Sequence, residues 1–130
     1  MKVYISGKIG EEVLSKATHQ KFAKAEELLK ARGFETFNPT TSGLGRHAES
    51  IAKIEGTTFY EEIMMLDLHQ LKDCDAIYML ADFLDSPGAK AEHALAIAFK
   101  KKVYYADELY HDGTLRGKGY DKNRLPEIAP

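Results

Sequence analysis

Short apolar runs alternate along the chain with longer stretches in which apolar residues recur every three or four positions. The apolar runs predict four strands, at residues 3–6, 35–37, 76–80 and 102–106. The longer stretches predict helices at residues 16–32, from residue 58 and from residue 87 onward. Phe22, Ala25, Leu28 and Leu29 form the apolar side of the first helix, and Gly33 ends it. Residues 40–57 carry three glycines and predict a loop, with a short helix around residues 48–54.

This alternation of strands and helices is typical of an α/β fold. We expect a doubly wound, flavodoxin-like or Rossmann-like sheet of four to five mostly parallel strands, with helices on both faces. Residues 1–106 would form this domain, and residues 107–130, which show no clear period, would be an irregular C-terminal extension of it. The extension could pack over the sheet edge, reach a neighbouring subunit or be partly disordered. Ligands bind such sheets beyond the C-terminal ends of the strands, where Gly7, residues 81–86 and the last helix should meet.

One acidic residue stands on the apolar side of the last predicted helix. Ser86 is expected to cap this helix, with Pro87 at its first position. On a helical wheel, Lys90 and His93 share a polar arc, and Glu92 falls on the opposite side. A carboxylate on an apolar stripe is costly unless it is paired or used in chemistry. A rotated helix, or a glutamate stabilised by the positive helix end, remains the alternative.

A second acid occupies a similar position in the preceding helix, which Thr58 and Glu61 should start as a capping box. Asp67 lies near the middle of its apolar face, among Tyr60, Ile63, Met64, Leu71 and Cys74. Two carboxylates in different environments can supply one ionised and one protonated group at neutral pH. That combination suits the cleavage of a glycosidic bond.

Composition limits the partners that the chain can have. Its 130 residues, 44% of them hydrophobic and 29% charged, suffice for one globular domain. A net charge of -2 gives no general attraction for a nucleic acid polymer. The single Cys74 allows no internal disulfide and suits a cytoplasmic location. No apolar run approaches the ~18 residues of a spanning helix, so we expect no membrane partner. The five histidines lack metal-ligand spacing, and neither a metal nor another cofactor is expected.

Three segments together resemble the nucleoside 2-deoxyribosyltransferase superfamily. They are residues 3–9 (VYISGKI), residues 67–75 (DLHQLKDCD) and residues 86–92 (SPGAKAE), so that the resemblance covers nearly the whole chain to residue 106. It is nearest to a small branch of YISGPI type, and next to the 2'-deoxynucleoside 5'-monophosphate N-hydrolases. The resemblance implies an N-glycosidase or deoxyribosyltransferase that acts on a small-molecule nucleoside or nucleotide. It also implies a homodimer or higher homo-oligomer, in which a neighbour's C-terminal region closes the site.

The resemblance also implies roles for individual residues. Glu92 would be the nucleophile that attacks C1' of the sugar, and Asp67 would be the acid that serves the departing base. The hydroxyl of Tyr4 would orient the nucleophile. Intact Tyr4, Asp67 and Glu92 favour an enzyme over the alternative, a non-catalytic nucleotide-binding sensor with the same fold.

Six further residues are candidates for substrate binding: Gly7, Lys8, Ile9, Asp85, Ser86 and Gly88. The resemblance implies that Ser86 binds a 5'-phosphate, and a serine at a helix N-terminus also favours an anion on physical grounds. Lys8 departs from the pattern, because the monophosphate hydrolases have serine there and the nearest branch has proline. A lysine could still bind phosphate as a point charge. Asp85 could line the pocket or face solvent.

Overall fold

The computed structural model describes residues 1–9 and 14–106, and the backbone of residues 110–111 and 114–115. Its first half contains β1 (Lys2–Ser6), α1 (Lys16–Ala31), β2 (Glu35–Phe37) and α2 (Leu44–Glu55). The chain continues with α3 (Phe59–Lys72), β3 (Ala76–Met79), a 3₁₀ turn (Phe83–Asp85), α4 (Pro87–Ala98) and β4 (Lys102–Tyr105). Two short strands follow, β5 (Tyr110–His111) and β6 (Thr114–Leu115). No helix in these described ranges combines the length and the apolar character needed to cross a membrane.

Strands β1 to β4 form one parallel sheet in the order β2-β1-β3-β4, and β5 pairs with β6 in antiparallel orientation. Tyr4 at the centre of the sheet lies opposite Phe37 on one side and Ile77 on the other. The predicted α/β fold with parallel strands is therefore confirmed. Because the strands run the same way, the C-terminal ends of β1 and β3 lie side by side at one edge.

Alternate residues of the strands face opposite layers of the core. Val3 and Ile5 pack with α1 on one side, and Tyr4, Ile77 and Met79 pack with α3 and α4 on the other. Helices thus cover both faces, as expected. The buried stripe of α1 consists of Thr18, Phe22, Ala25 and Leu29. The inward position predicted for Leu28 is wrong: it lies beside this stripe and is 37% exposed.

The predicted helix starts are present as hydrogen bonds. The Oγ of Ser86 accepts a hydrogen bond from the N–H of Ala89 at 3.1 Å. The Oγ1 of Thr58 accepts from the N–H of Glu61, whose carboxylate accepts from the N–H of Thr58, each at 3.1 Å. These caps fix where α3 and α4 begin, and so which residues stand in their first turns.

The helix within residues 40–57 is longer than the short one predicted around residues 48–54, and the reading of most of this segment as a loop is corrected. Helix α2 spans Leu44–Glu55 and buries Ala48 and Ala52 on its inner side. Gly43 and Gly56 flank the helix in the left-handed region, at φ +78° and +72°, and do not interrupt it. The prediction treated these glycines as loop residues, whereas they mark the two ends of a helix that packs against α3.

Candidate active site

A pocket of about 570 Å³ opens where β1 and β3 end, within the usual range of about 300–1,000 Å³ for small-molecule sites. The loop after β1, the segment after β2, helices α2 and α3, and the start of α4 all contribute to its wall. Six residues singled out in the sequence line it: Gly7, Ile9, Asp67, Ser86, Gly88 and Glu92. The structure therefore brings together residues that are far apart in the sequence, such as Gly7 and Glu92, which are 85 positions apart.

Glu92 is buried at the base of this pocket and held through both carboxylate oxygens. The hydroxyl of Tyr4 donates to Oε2 at 2.5 Å, and the hydroxyl of Ser6 donates to Oε1 at 2.6 Å. Tyr4 is itself fully buried and stacks on Phe37, with ring centroids 5.1 Å apart. The helix is not rotated to expose Glu92, which is 7% accessible, and side-chain hydroxyls hold the carboxylate in place.

Burial raises the pKa of Glu92 from 4.5 to about 7, although the hydrogen bonds from Ser6 and Tyr4 act in the opposite direction. Desolvation penalises the charged carboxylate, whereas the two hydroxyl donors stabilise it. Glu92 therefore changes its charge close to neutral pH, in an orientation that two neighbouring side chains fix.

Asp67 is the second buried acid in the pocket wall, also 7% accessible. Burial raises its pKa from 3.8 to about 8, and the negative charge of Glu92 adds to this rise. Its Oδ1 has no hydrogen-bond partner within the described part of the chain. Because a negative charge on Glu92 raises the pKa of Asp67, ionisation of both acids together is disfavoured, and the pair is suited to hold one carboxylate and one carboxylic acid near neutral pH.

Ser6 is a site residue that the sequence reading missed. It follows Tyr4 by two positions on β1, and residues two apart on a strand share a face. Once Tyr4 is placed beside Glu92, this period predicts that Ser6 points the same way. The usable signal was therefore a polar residue at the C-terminal end of an otherwise apolar strand.

Lys8 and Asp85 are not among the residues that line the pocket, and both are exposed. The backbone of Lys8 is nevertheless held firmly. Its N–H donates to Asp82 at 3.0 Å, and its carbonyl accepts from the Nζ of Lys21 at 2.5 Å. Lys21 and Asp82 also form an ion pair at 2.5 Å. The Lys21–Asp82 ion pair and its bonds to Lys8 join the loop after β1 to the loop after β3, and so hold one side of the pocket entrance in place.

His93 is buried, in contrast to its predicted place on a polar arc. Its Nε2 lies 2.7 Å from the hydroxyl of Tyr105, and its ring packs against Phe83 with centroids 5.1 Å apart. Helix α4 contacts strands on one side and the 3₁₀ turn on another, so more than one of its faces is covered. Within the ranges that the structure describes, no three metal-ligating side chains form a cluster.

Helix α2 and the start of α3 supply pocket residues that the sequence reading did not propose, notably Arg46 and Phe59. Arg46 escaped notice because the segment that contains it was taken as a loop. At the opposite wall, a Cβ on Gly88 would stand 3.3 Å from the sulfur of Met64 and 3.4 Å from the hydroxyl of Tyr60. A glycine at this position therefore lets α3 and α4 approach closely beside the pocket.

Comparison with known proteins identifies the family. A family model described as a domain of unknown function, DUF4406, matches residues 1–105. The chain belongs to this family. A solved structure of a 2-deoxyribosyltransferase from the psychrotolerant bacterium Bacillus psychrosaccharolyticus superposes on this DUF4406 chain with a TM-score of 0.56 and 18% identity. The match covers 81% of this chain and 71% of that one, and shows that the two share a fold. No curated protein matches the chain significantly.

Proposed function

We propose that this DUF4406 protein cleaves the N-glycosidic bond of a 2'-deoxynucleoside or of its 5'-monophosphate. The observation that carries the proposal is the pair of buried acids, Glu92 and Asp67, in the wall of one pocket. Burying two carboxylates lowers stability, and a role in catalysis would account for that cost. The shared fold of the Bacillus 2-deoxyribosyltransferase and the three sequence segments that resemble its superfamily support a nucleoside substrate.

In the proposed reaction, an oxygen of ionised Glu92 attacks C1' of the sugar. The bond from C1' to the base nitrogen breaks with its electron pair on the base, and Asp67 donates its proton to the base. The resulting sugar ester of Glu92 is then attacked at C1' by water or by a second base. Asp67 takes up the proton of this nucleophile, and the ester bond breaks to restore the carboxylate. Tyr4 and Ser6 keep the attacking carboxylate in place throughout.

The first turn of α4 is our proposed site for the 5' end of the substrate. Ser86 caps the helix at the pocket wall, and a helix N-terminus attracts an anion such as phosphate. Gly7, Ile9 and Gly88 would form the surrounding surface for the sugar. Lys8 and Asp85, whose side chains are exposed outside the pocket wall, have no part in this proposal.

The direct test is to incubate the protein with a panel of 2'-deoxynucleosides and their 5'-monophosphates and to measure released base by chromatography. Glu92→Gln should lower base release by at least about a thousandfold, because the nucleophile is lost while the side-chain shape is kept. Glu27→Gln on α1, which changes an exposed glutamate, is the matched control and should retain activity. Normal turnover in Glu92→Gln would contradict the proposal, and binding without release by the wild type would favour a nucleotide sensor.

Hydrolysis and transfer can be separated in the same assay. A second free base is added in excess, and the products are examined for the corresponding new nucleoside. A transferase forms that nucleoside, whereas a hydrolase releases free sugar or sugar phosphate at an unchanged rate. Both outcomes use the same glycosyl-enzyme ester on Glu92, so either is compatible with the proposed nucleophile.

We also propose that the protein acts as a homo-oligomer, in which residues 107–130, most of which lie outside the described residues, close the pocket of a neighbour. Excluding water would protect the glycosyl ester, and large apolar side chains are exposed on α3 and α4, including Met65 and Ile97. The catalytic domain would then be residues 1–106. Light scattering should give a dimer or larger, and truncation after Ala106 should reduce activity. A monomer whose activity survives the truncation would contradict this arrangement.

A further inference from the structure

Arg46 is the one cationic residue among the described residues that line the pocket. Its guanidinium makes no hydrogen bond or ion pair with any residue in the described part of the chain. Much of the nearby wall is apolar, formed by Phe59, Ile63 and Met64. A guanidinium has five donors and no acceptor, and those of this exposed side chain are available to an acceptor on whatever occupies the pocket.

The position of Arg46 indicates which part of the substrate it meets. Its neighbour Gly45 lies against α3, because a Cβ there would stand 3.9 Å from the ring of Phe59. Phe59 begins α3 eight positions before Asp67, a separation of about 12 Å along the helix axis. Arg46 and Asp67 therefore belong to the same α2–α3 side of the pocket, whereas Ser86 and Glu92 belong to α4.

In the proposed reaction Asp67 serves the departing base, so the base must lie along the α3 wall. Its glycosidic end would then be near Asp67, and its far edge would lie on the side of the pocket that Arg46 lines. The separation along α3 can accommodate a base together with part of an extended arginine side chain. The 5' end of the substrate lies on the other side, at the start of α4.

We propose that Arg46 makes the site selective for bases with a carbonyl oxygen on the edge remote from the glycosidic bond, over bases with an amino group there. This inference rests on the proposed function, since it takes the position of the base from the role of Asp67. A carbonyl such as O6 of hypoxanthine accepts hydrogen bonds from the guanidinium. The amino group of adenine and the guanidinium of Arg46 are both hydrogen-bond donors, so neither pairs with the other and the affinity for adenine is lower.

The test compares 2'-deoxyinosine with 2'-deoxyadenosine, which differ mainly in the oxygen or amino group at position 6. The wild type should have a kcat/KM about tenfold higher for deoxyinosine, the discrimination typical of an arginine on a base edge. Arg46→Gln should remove most of this preference, because an amide can either donate or accept. Lys53→Gln removes an exposed charge from the same helix outside the pocket wall and should leave the preference intact.

Three results would overturn the inference. The first is an unchanged deoxyinosine preference in Arg46→Gln. The second is a wild type without any preference. The third is a loss confined to the 5'-monophosphates with the base ratio unchanged, which would assign Arg46 to the phosphate.

If the wild type releases base from no substrate, the proposed function fails. Calorimetric binding of free hypoxanthine and free adenine then tests Arg46 separately. Tighter binding of hypoxanthine that is lost in Arg46→Gln would support the role of Arg46, and equal binding of both bases would overturn it.

Discussion

Replacing Glu92 by glutamine should change the pH dependence of stability in a direction that follows from burial. The folded protein raises the pKa of this carboxyl from 4.5 to about 7, so it binds the proton more tightly than the unfolded chain does. This contribution to stability is fully present below about pH 4.5 and is lost as pH rises through about 7. A rise of this size corresponds to roughly 3 kcal/mol of unfolding free energy. Glutamine cannot ionise, so the variant avoids that loss.

The measured quantity is the difference in unfolding free energy between Glu92→Gln and the wild type, as a function of pH. We expect this difference to grow in favour of the variant by roughly 3 kcal/mol between about pH 4.5 and about pH 8. Asp67 increases this difference further, because its pKa falls when the charge of Glu92 is removed. Any hydrogen bond that glutamine fails to make with Tyr4 or Ser6 shifts the curve by a constant amount and leaves its slope unchanged.

Urea unfolding at several pH values provides these free energies, followed by far-UV circular dichroism and by tyrosine fluorescence, since the chain has no tryptophan. Coincident transitions from the two probes justify a two-state treatment. Glu27→Gln is the control for removing an exposed glutamate, and its difference from the wild type should stay nearly flat with pH. A flat difference for Glu92→Gln as well would mean that Glu92 titrates near its ordinary pKa, and the argument from its burial would be wrong.

Three further predictions concern activity. Tyr4→Phe removes a hydrogen bond that lowers the pKa of Glu92, so the acid side of the pH–rate profile should move up by about one pH unit; an unmoved profile would argue against Glu92 as the ionising nucleophile. Asp67→Asn should slow poor leaving groups more than activated glycoside analogues, and equal slowing of both would make Asp67 a structural residue. Lys21→Met and Asp82→Asn should each raise KM several-fold with little change in kcat. The double variant should have a KM no higher than that of either single variant, because the two residues hold the loop after β1 through one shared ion pair. Additive effects in that double-mutant cycle would show that the two residues act separately.

Much of the fold could be predicted because its signals are local. Thr58 with Glu61, and Ser86 with Pro87, begin their helices through contacts that span three residues or fewer. The β1 strand was recognisable as a short apolar run ending at a glycine. The burial of Glu92 also followed from its own helix, because an acid on an apolar stripe is conspicuous wherever that helix packs.

What only the tertiary structure decided depends on contacts between distant segments. The donors that hold Glu92 come from a strand 86 and 88 positions earlier, and no periodicity links them. His93 is buried because α4 is covered on more than one side, whereas the helical wheel was interpreted with a single buried stripe. Arg46 reaches the pocket through the packing of α2 on α3, whereas the glycines in its segment had suggested a loop. Local sequence thus determined the candidate acids and their helices, whereas the packing of those helices determined which side chains surround them.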